Sequence, residues 1–573
     1  MPLRTMWGAS RPRVGFGVAD AGILLGLAGL VYVGVRAAIG APNVVPGPAI
    51  SLQPQWLPYY TLLSVGRIVA AYLISLLFAL AYGYGAAHNP TAALVLLPLL
   101  DVLQSVPILS FLPVAVLSLT AVLPEGVAVE LASILLIVTS QAWNMAFSTY
   151  QSFTTVPRDL LEAAENYQFH PWLRFKLVEL PFAARPLIWN SMLSWAGAWF
   201  FLMAAETFSL GTRDFRLPGL GSYLQTAAQA GNMQAVFQGL AALVLTIVIL
   251  DQIIWRPAIT WAQRFRLEAI GEEETTGSWL YDLLRRSWLV EQFGRHVGRP
   301  ASEALDRLLT AGYHRPTATL RPSTPPRRWT RIVTGVLLGA GIAYGVVLAA
   351  QLLAQVSLQE WLGVLAGVGA TLLRVAIALA VGLLWTVPSG VAIGTNPRVA
   401  SVAQPAAQVT AAIPATAIFP IFVVALVAQP GGLNVAAILL MLLGTQWYIL
   451  FNVIAGVASI PMDLYYTAEM LRLGPRLRWT RLTLPAIFPY LVTGLITASG
   501  GAWNASIVAE YVVVAGTTYA VTGVGALIAE SSVAGNYPLL LASTLTLIVT
   551  VAAINWLVWR PLYRYAAEAF RME

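Results

Sequence analysis

The sequence predicts an all-α, polytopic membrane protein made of two tandem six-helix units, about 12 transmembrane helices in all. Composition is the first reason. The 573 residues are 58% hydrophobic and only 10% charged, and mean hydropathy is +0.72. A soluble domain carries roughly 25% charged residues, so most of this surface must face lipid. Internal repetition is the second reason. Gly219, Gly221, Gly231, Asn232, Trp255, Arg256 and Pro257 recur 304 residues later as Gly523, Gly525, Gly535, Asn536, Trp559, Arg560 and Pro561. The same offset pairs Trp143 with Trp447, Pro157 with Pro461, Asp159 with Asp463, Glu165 with Glu469 and Glu206 with Glu510. Upstream the offset becomes 307, pairing Arg67 with Arg374 and Asn89-Pro90 with Asn396-Pro397. A register held this long marks a tandem duplication.

A span needs about 20 mostly apolar residues. Six such segments fall in the first copy, roughly at 18–39, 59–86, 92–120, 127–150, 184–209 and 234–256. Six fall in the second, at 331–355, 364–393, 400–427, 433–456, 488–513 and 538–559. The first segment is longer than a usual signal-peptide apolar region and has a counterpart in the second copy, so it reads as a span. Six spans per copy give both copies one orientation, a parallel repeat about a pseudo-two-fold axis along the membrane normal. Arg4, Arg11 and Arg13 precede the first span, Arg256, Arg264 and Arg266 follow the sixth, and Arg560 and Arg564 follow the twelfth. Arginine collects on the cytoplasmic side, so both termini are expected there, and the loops at 210–233 and 515–536 face outward.

Residues 258–330 differ in material, with eleven arginines and eight acidic residues. They read as a cytoplasmic linker with one or two amphipathic helices within 279–310. The domains expected are therefore 1–257, the linker 258–330, and 331–573. The net charge of +7 suits the membrane's anionic inner face better than nucleic acid. No cysteine is present and the four histidines are scattered, which leaves no metal-ligand spacing. Lys176 is the single lysine, with no glycine-rich turn beside it. The chain thus has no phosphate-binding P-loop of its own.

Between the fourth and fifth spans of each copy lies a polar cytoplasmic stretch, about 151–183 and 457–487. Pro157 suits a first helical turn, and Asp159 and Glu162 suit its positive end. Glu162-Ala163-Ala164 favours helix. A second short helix around Trp172 to Leu180 is expected to stop at Pro181. The loop reads as a helix–turn–helix able to dock in a partner's groove.

Glu162-Ala163-Ala164-Glu165, with the proline of Leu180-Pro181 nineteen residues after Glu162, resembles the EAA loop of ABC importer permeases. Leu484-Pro485 through Leu495, Gly501 through Glu510, and Ser64-Val65-Gly66-Arg67 resemble the nitrate/sulfonate/taurine type, here with two permease domains fused. The resemblance implies a type I, binding-protein-dependent import permease in a bacterial or archaeal cytoplasmic (inner) membrane. It implies two ABC ATP-binding subunits, which bind ATP and Mg in place of any cofactor here, and an extracytoplasmic substrate-binding protein or lipoprotein. It implies no catalytic residue and no metal in this chain. ATPase coupling falls to Pro157, Asp159, Glu162, Ala163, Ala164, Glu165 and Pro181, and to Pro461, Asp463, Tyr466, Glu469, Gly474 and Pro485. The copies depart from the pattern. Gln168 and Arg472 stand where the family has its loop glycine, Gly474 falls two residues late, and Tyr466 replaces Glu162. Unequal docking of the two loops follows as an expectation.

Polar groups within lipid are costly and mark function or pairing. Arg67 and Arg374 either help hold an anionic substrate or pair with Glu206 and Glu510. Trp199 and Trp503 either pack or stack on substrate. Positions where the copies differ are better markers of a substrate path, which adds Asp101, Gln104, Asn190, Thr493 and Asn504. Two other readings stay open: a ferric-iron importer permease, and a secondary transporter driven by an ion gradient. The first needs carboxylates or tyrosines clustered at the midplane, the second titratable relays within helices.

Overall fold

The computed structural model of the chain describes residues 48–105, 109, 116, 119–120, 122–210, 213–265, 278–286, 292, 294–310, 346–514 and 516–569. The expected span at 18–39 lies outside the described residues, as do most of 106–118 in the third and 331–345 of the seventh. Copy one contains α1 (Leu57–His88), α2 (Pro90–Ser105) and α3 (Glu125–Thr154). The polar loop at 155–179 forms α4 (Arg158–Asn166) and α5 (Pro171–Arg174), followed by the long α6 (Leu180–Glu206). A hairpin of β1 (Ser209–Leu210) and β2 (Arg213–Asp214), then α7 (Leu220–Gln229), α8 (Met233–Leu250) and α9 (Arg256–Ala262), complete it. The linker holds α10 (Trp279–Arg286) and α11 (Arg299–Thr310). In copy two come α12 (Leu358–Thr395), α13 (Pro397–Ala412), α14 (Ala415–Leu426), α15 (Gly432–Ala458), α16 (Met462–Met470) and α17 (Pro475–Arg478). They are followed by α18 (Leu484–Ala509), the hairpin β3 (Tyr511–Val514) and β4 (Thr517–Ala520), α19 (Val524–Ala534), α20 (Tyr537–Ile554) and α21 (Arg560–Ala569).

Among the described residues, eight helices are long and apolar enough to cross a membrane, or nine if the bent pair α13–α14 is one span. That pair occupies the stretch expected as a span at 400–427, and its halves meet at 77°. Proline pushes the residue before it out of the α region, and Ile413, before Pro414, is extended at φ −72°, ψ 116°.

The short helix expected to stop at Pro181 does not stop. It runs from Pro171 into α6 through a π-turn at Phe175–Glu179, where the Leu180 N–H donates to the Phe175 carbonyl. A proline lacks its own N–H and crowds the carbonyl four residues back. Widening the preceding turn relieves both. The device recurs before Pro485 (Trp479–Thr483), before Pro257 (Asp251–Trp255) and before Pro561 (Asn555–Trp559). The stretches at 210–233 and 515–536 are not plain loops either, since each carries hairpin residues and a helix, α7 or α19.

Within copy one, α1 packs on α3 and α3 on α6; α12, α15 and α18 repeat this. Close helix approach is what stabilises a bundle in lipid. A Cβ at Gly83 would lie 2.7 Å from Thr149, and one at Gly390 would lie 2.7 Å from Val453. The copies interleave. The broken helix of copy two packs on α6 and α7 of copy one, and Ala412 and Ala417 join the copy-one core with Leu202, Leu220 and Leu243.

Candidate functional site

Arg67 on α1 and Glu206 at the end of α6 meet at 2.7 Å, and Arg374 on α12 meets Glu510 at the end of α18 at the same distance. Both glutamates are fully buried. Ser64 Oγ donates to Glu206 Oε1 at 2.6 Å and accepts from the Leu220 N–H at 2.9 Å. Thr371 Oγ1 does the same between Glu510 (2.7 Å) and the Val524 N–H (3.0 Å). The second carboxylate oxygen accepts the Gly221 N–H at 2.7 Å in copy one and the Gly525 N–H at 2.9 Å in copy two. Each carboxylate therefore caps the N-terminus of α7 or α19, where helix dipole and free N–H groups favour an anion. Gly219 and Gly523 make this approach possible, because any Cβ there would overlap the carboxylate. Arg67 also donates to the Pro218 carbonyl at 2.9 Å, and Arg374 to that of Thr522 at 2.8 Å. The arrangement clamps the outer helix to the bundle in both copies, and breaking such a buried pair costs about 3–5 kcal/mol.

The clamps differ in one partner. Arg67 makes a bidentate pair with Glu130, both bonds 2.7 Å, whereas Arg374 meets Asn434 Oδ1 at 3.0 and 2.8 Å. Copy one thus holds two carboxylates around its guanidinium and copy two holds one. Neither Glu130 nor Asn434 was singled out in the sequence, although a copy-to-copy difference was there to find them.

A cavity of ≈ 70 Å³ lies between the copies. A water needs about 10–15 Å³ of such space, so the cavity holds a few waters or one small solute. Copy one contributes Gly197, Phe200 and Phe201 from α6. Copy two contributes Ile413 and Pro414 at the helix break, Trp447, Tyr448 and Phe451 from α15, and Asn504 from α18. The proline break frees backbone groups, which is tolerated where a helix lines a cavity. Of the expected path residues with described side chains, Asn504 lines this space; its amide donates to the Gly500 carbonyl at 3.0 Å. The others sit elsewhere. Arg67, Arg374, Glu206 and Glu510 are in the clamps. Trp199 and Trp503, 0% and 1% exposed, are packed in the cores. Asn190 bonds Ser148 Oγ and the Pro186 carbonyl between α6 and α3. Thr493 bonds the Pro489 carbonyl on an exposed face. Side chains of Asp101 and Gln104 lie outside the described residues. Tyr448 went unnoticed, yet it stands in copy two where copy one has Asn144, the same signal that marked Asn504.

In the two polar loops, Arg158–Asn166 and Met462–Met470 are helices capped by Pro157 and Pro461, with Asp159 and Asp463 in their first turns. Ala164 and Ala468 face inward, while Glu162, Ala163, Glu165, Tyr466 and Glu469 are exposed. Each helix ends in an identical turn. The Phe169 N–H reaches the Ala164 carbonyl at 2.9 Å and the Leu473 N–H reaches that of Ala468 at 3.0 Å. Such an end requires a left-handed residue, usually glycine. Gln168 (φ 56°) and Arg472 (φ 49°) fill it, and they are the non-glycine residues with positive φ among those described. Gly474 is extended (φ −63°, ψ 160°) and caps α17 instead.

Residues 71–254 and again 378–560 match the family model described as a binding-protein-dependent transport system inner membrane component. Among curated relatives, the bicarbonate transport system permease protein CmpB of Synechocystis sp. is 35% identical over 144 residues, 25% of this chain and 50% of that protein. The nitrate import permease protein NrtB of Leptolyngbya laminosa is 32% identical over the same shares. The taurine transport system permease protein TauC of Escherichia coli is 27% identical over 143 residues, again 25% of this chain and 50% of that protein. The chain spans about half the length of these relatives. Both halves carry the matched domain, and the chain belongs to the family of binding-protein-dependent transport system inner membrane components.

Proposed function

We propose that the chain is the membrane-spanning subunit of an ATP-driven importer for a small anion of the nitrate, bicarbonate or taurine kind. Separate ATP-binding subunits seat on α4 and α16, and an extracytoplasmic binding protein delivers the solute. The observation that carries this reading is the pair of exposed, equivalently capped helices at Arg158–Asn166 and Met462–Met470. Each is followed by a continuous helix into the bundle, so a push on the loop reaches α6 or α18 directly. ATP binding and hydrolysis in the partner subunits then shift the bundle between outward- and inward-open populations.

The cavity between the copies is the proposed transit site, with Tyr448 and Asn504 as hydrogen-bonding groups against the apolar wall of Phe200, Trp447 and Phe451. Arg67 and Arg374 are held by carboxylates, so they set bundle geometry rather than bind cargo. Reconstitution into liposomes with the ATPase chains and the binding protein tests the proposal. Uptake is expected only with ATP inside the ATPase-bearing face, and to persist when ion gradients are collapsed. Uptake driven by an ion gradient without ATP would refute it.

A further inference from the structure

The chain's single lysine has no part in the coupling helices, yet it is one of the most tightly engaged groups in the cytoplasmic loop. Lys176 Nζ donates to Asp306 Oδ2 at 2.6 Å, to Oδ1 at 2.8 Å and to Ser302 Oγ at 2.6 Å. Trp172 Nε1 donates to the same Asp306 Oδ1 at 2.8 Å. Ser302 and Asp306 lie one helical turn apart on α11, so one face of the linker helix sits against α5 and the π-turn of copy one. We propose that α11 is a strap that positions the first coupling segment, with Asp306 as the positioning residue. This rests on the importer reading above and deepens it.

Three further observations support the strap. Copy two lacks this donor pair: Arg476 and Thr480 stand where Trp172 and Lys176 do, leaving neither the indole donor nor the amine. The strapped segment is also held from its other side. Glu179 Oε1 receives Arg174 Nε at 2.8 Å and lies 3.0 Å from His88 Nε2 at the end of α1. In copy two Thr395 and Thr483 replace His88 and Glu179, and Arg478 Nε is buried with no partner among the described residues. Finally, the Lys176 and Trp172 donors hold the Asp306 carboxyl below its usual range, as expected of a carboxylate that gives its charge to the contact. The first coupling arm is therefore held between α1 and α11, and among the described residues no equivalent pair of bonds holds the second. A fixed lever transmits a partner's motion with less slack, so the strap makes the first ATPase the better-coupled one.

The single lysine supplies the test. A carbodiimide joins an amine to a carboxylate only in direct contact, forming an amide between Lys176 Nζ and Asp306 while the reagent takes up the water. In the full complex with its ATPase chains, the joined peptides are expected in the wild type and absent in Asp306→Asn. Asp306→Asn and Lys176→Gln are each expected to lower solute moved per ATP about threefold to fivefold, the population change that a partly exposed ion pair can control. The exchange Lys176→Asp with Asp306→Lys is expected to restore the ratio. Glu303→Gln, at an exposed carboxylate of α11 that pairs with Arg307 rather than with Lys176, is expected to leave it unchanged. The strap is refuted if the joined peptides do not form in the folded wild type. Its role is refuted if they form but Asp306→Asn keeps the wild-type ratio. A wild-type complex with no ATP-driven uptake would overturn the importer reading and the positioning role together, whatever the cross-link shows.

Discussion

Replacing Gly219 by alanine tests the clamp at its tightest point. The new Cβ would lie 2.3 Å from the Glu206 carboxyl, whereas ordinary contact begins at 3.4 Å. The carboxylate must retreat by about 1 Å, which stretches bonds made at 2.6–2.7 Å from Ser64, Arg67 and Gly221 past the hydrogen-bonding limit. Losing two charge-assisted bonds at about 1.5–3 kcal/mol each amounts to about 3–6 kcal/mol. That agrees with the cost of about 3–5 kcal/mol for a broken buried ion pair. Gly66 is the control. It lies in α1, a Cβ there meets nothing within 4 Å, and alanine gains about 0.4–1 kcal/mol by restricting the unfolded chain. Tryptophan fluorescence of the purified chain during heating reads both. Gly219→Ala is expected to unfold several degrees below the wild type, with Gly66→Ala at or above it. A Gly219→Ala protein that unfolds with the wild type refutes the argument that Gly219 exists to admit the carboxylate.

Gln168→Gly and Arg472→Gly are each expected to stabilise the local loop by about 0.5–1 kcal/mol, because glycine adopts the left-handed turn without strain; slower proteolysis between α4 and α5, or α16 and α17, reads this. Tyr448→Phe and Asn504→Leu are expected to reduce uptake while the chain still co-purifies with its ATPase, and unchanged uptake in both removes the cavity from the path. Glu162→Ala and Tyr466→Ala are expected to lower transport unequally at equal protein levels, since a charge and an aromatic ring meet their partners differently. Equal losses contradict unequal docking.

Much of this architecture was legible because periodicity and register are properties of the sequence itself. The duplication placed Glu206 over Glu510 and Arg67 over Arg374 before any coordinates, and proline-capped α4 and α16 followed from helix-end chemistry. What was not legible arises from long-range contact. Hydropathy across 400–427 gives the extent of the stretch and not its angle; at Ile413–Pro414 a single backbone restriction turns the chain by 77°. Pro181 read as a stop because its cost was weighed without the π-turn that absorbs it. Partners 63 residues apart, such as Arg67 and Glu130, and 130 apart, such as Lys176 and Asp306, leave no local pattern. The two copies differ at Tyr448, Asn434 and Thr480 as well as at Asn504, and these differences mark the cavity, the clamp and the strap.

Duplication is expected to give one chain two coupling helices, each seating one ATP-binding subunit. The mass of the intact complex, released from mild detergent, measures this directly. One copy of this chain with two ATPase chains is expected, with one ATPase chain lost first when α4 or α16 is altered singly. A particle of this chain with no ATPase chain bound, under conditions where ATP-driven uptake is retained, would contradict it.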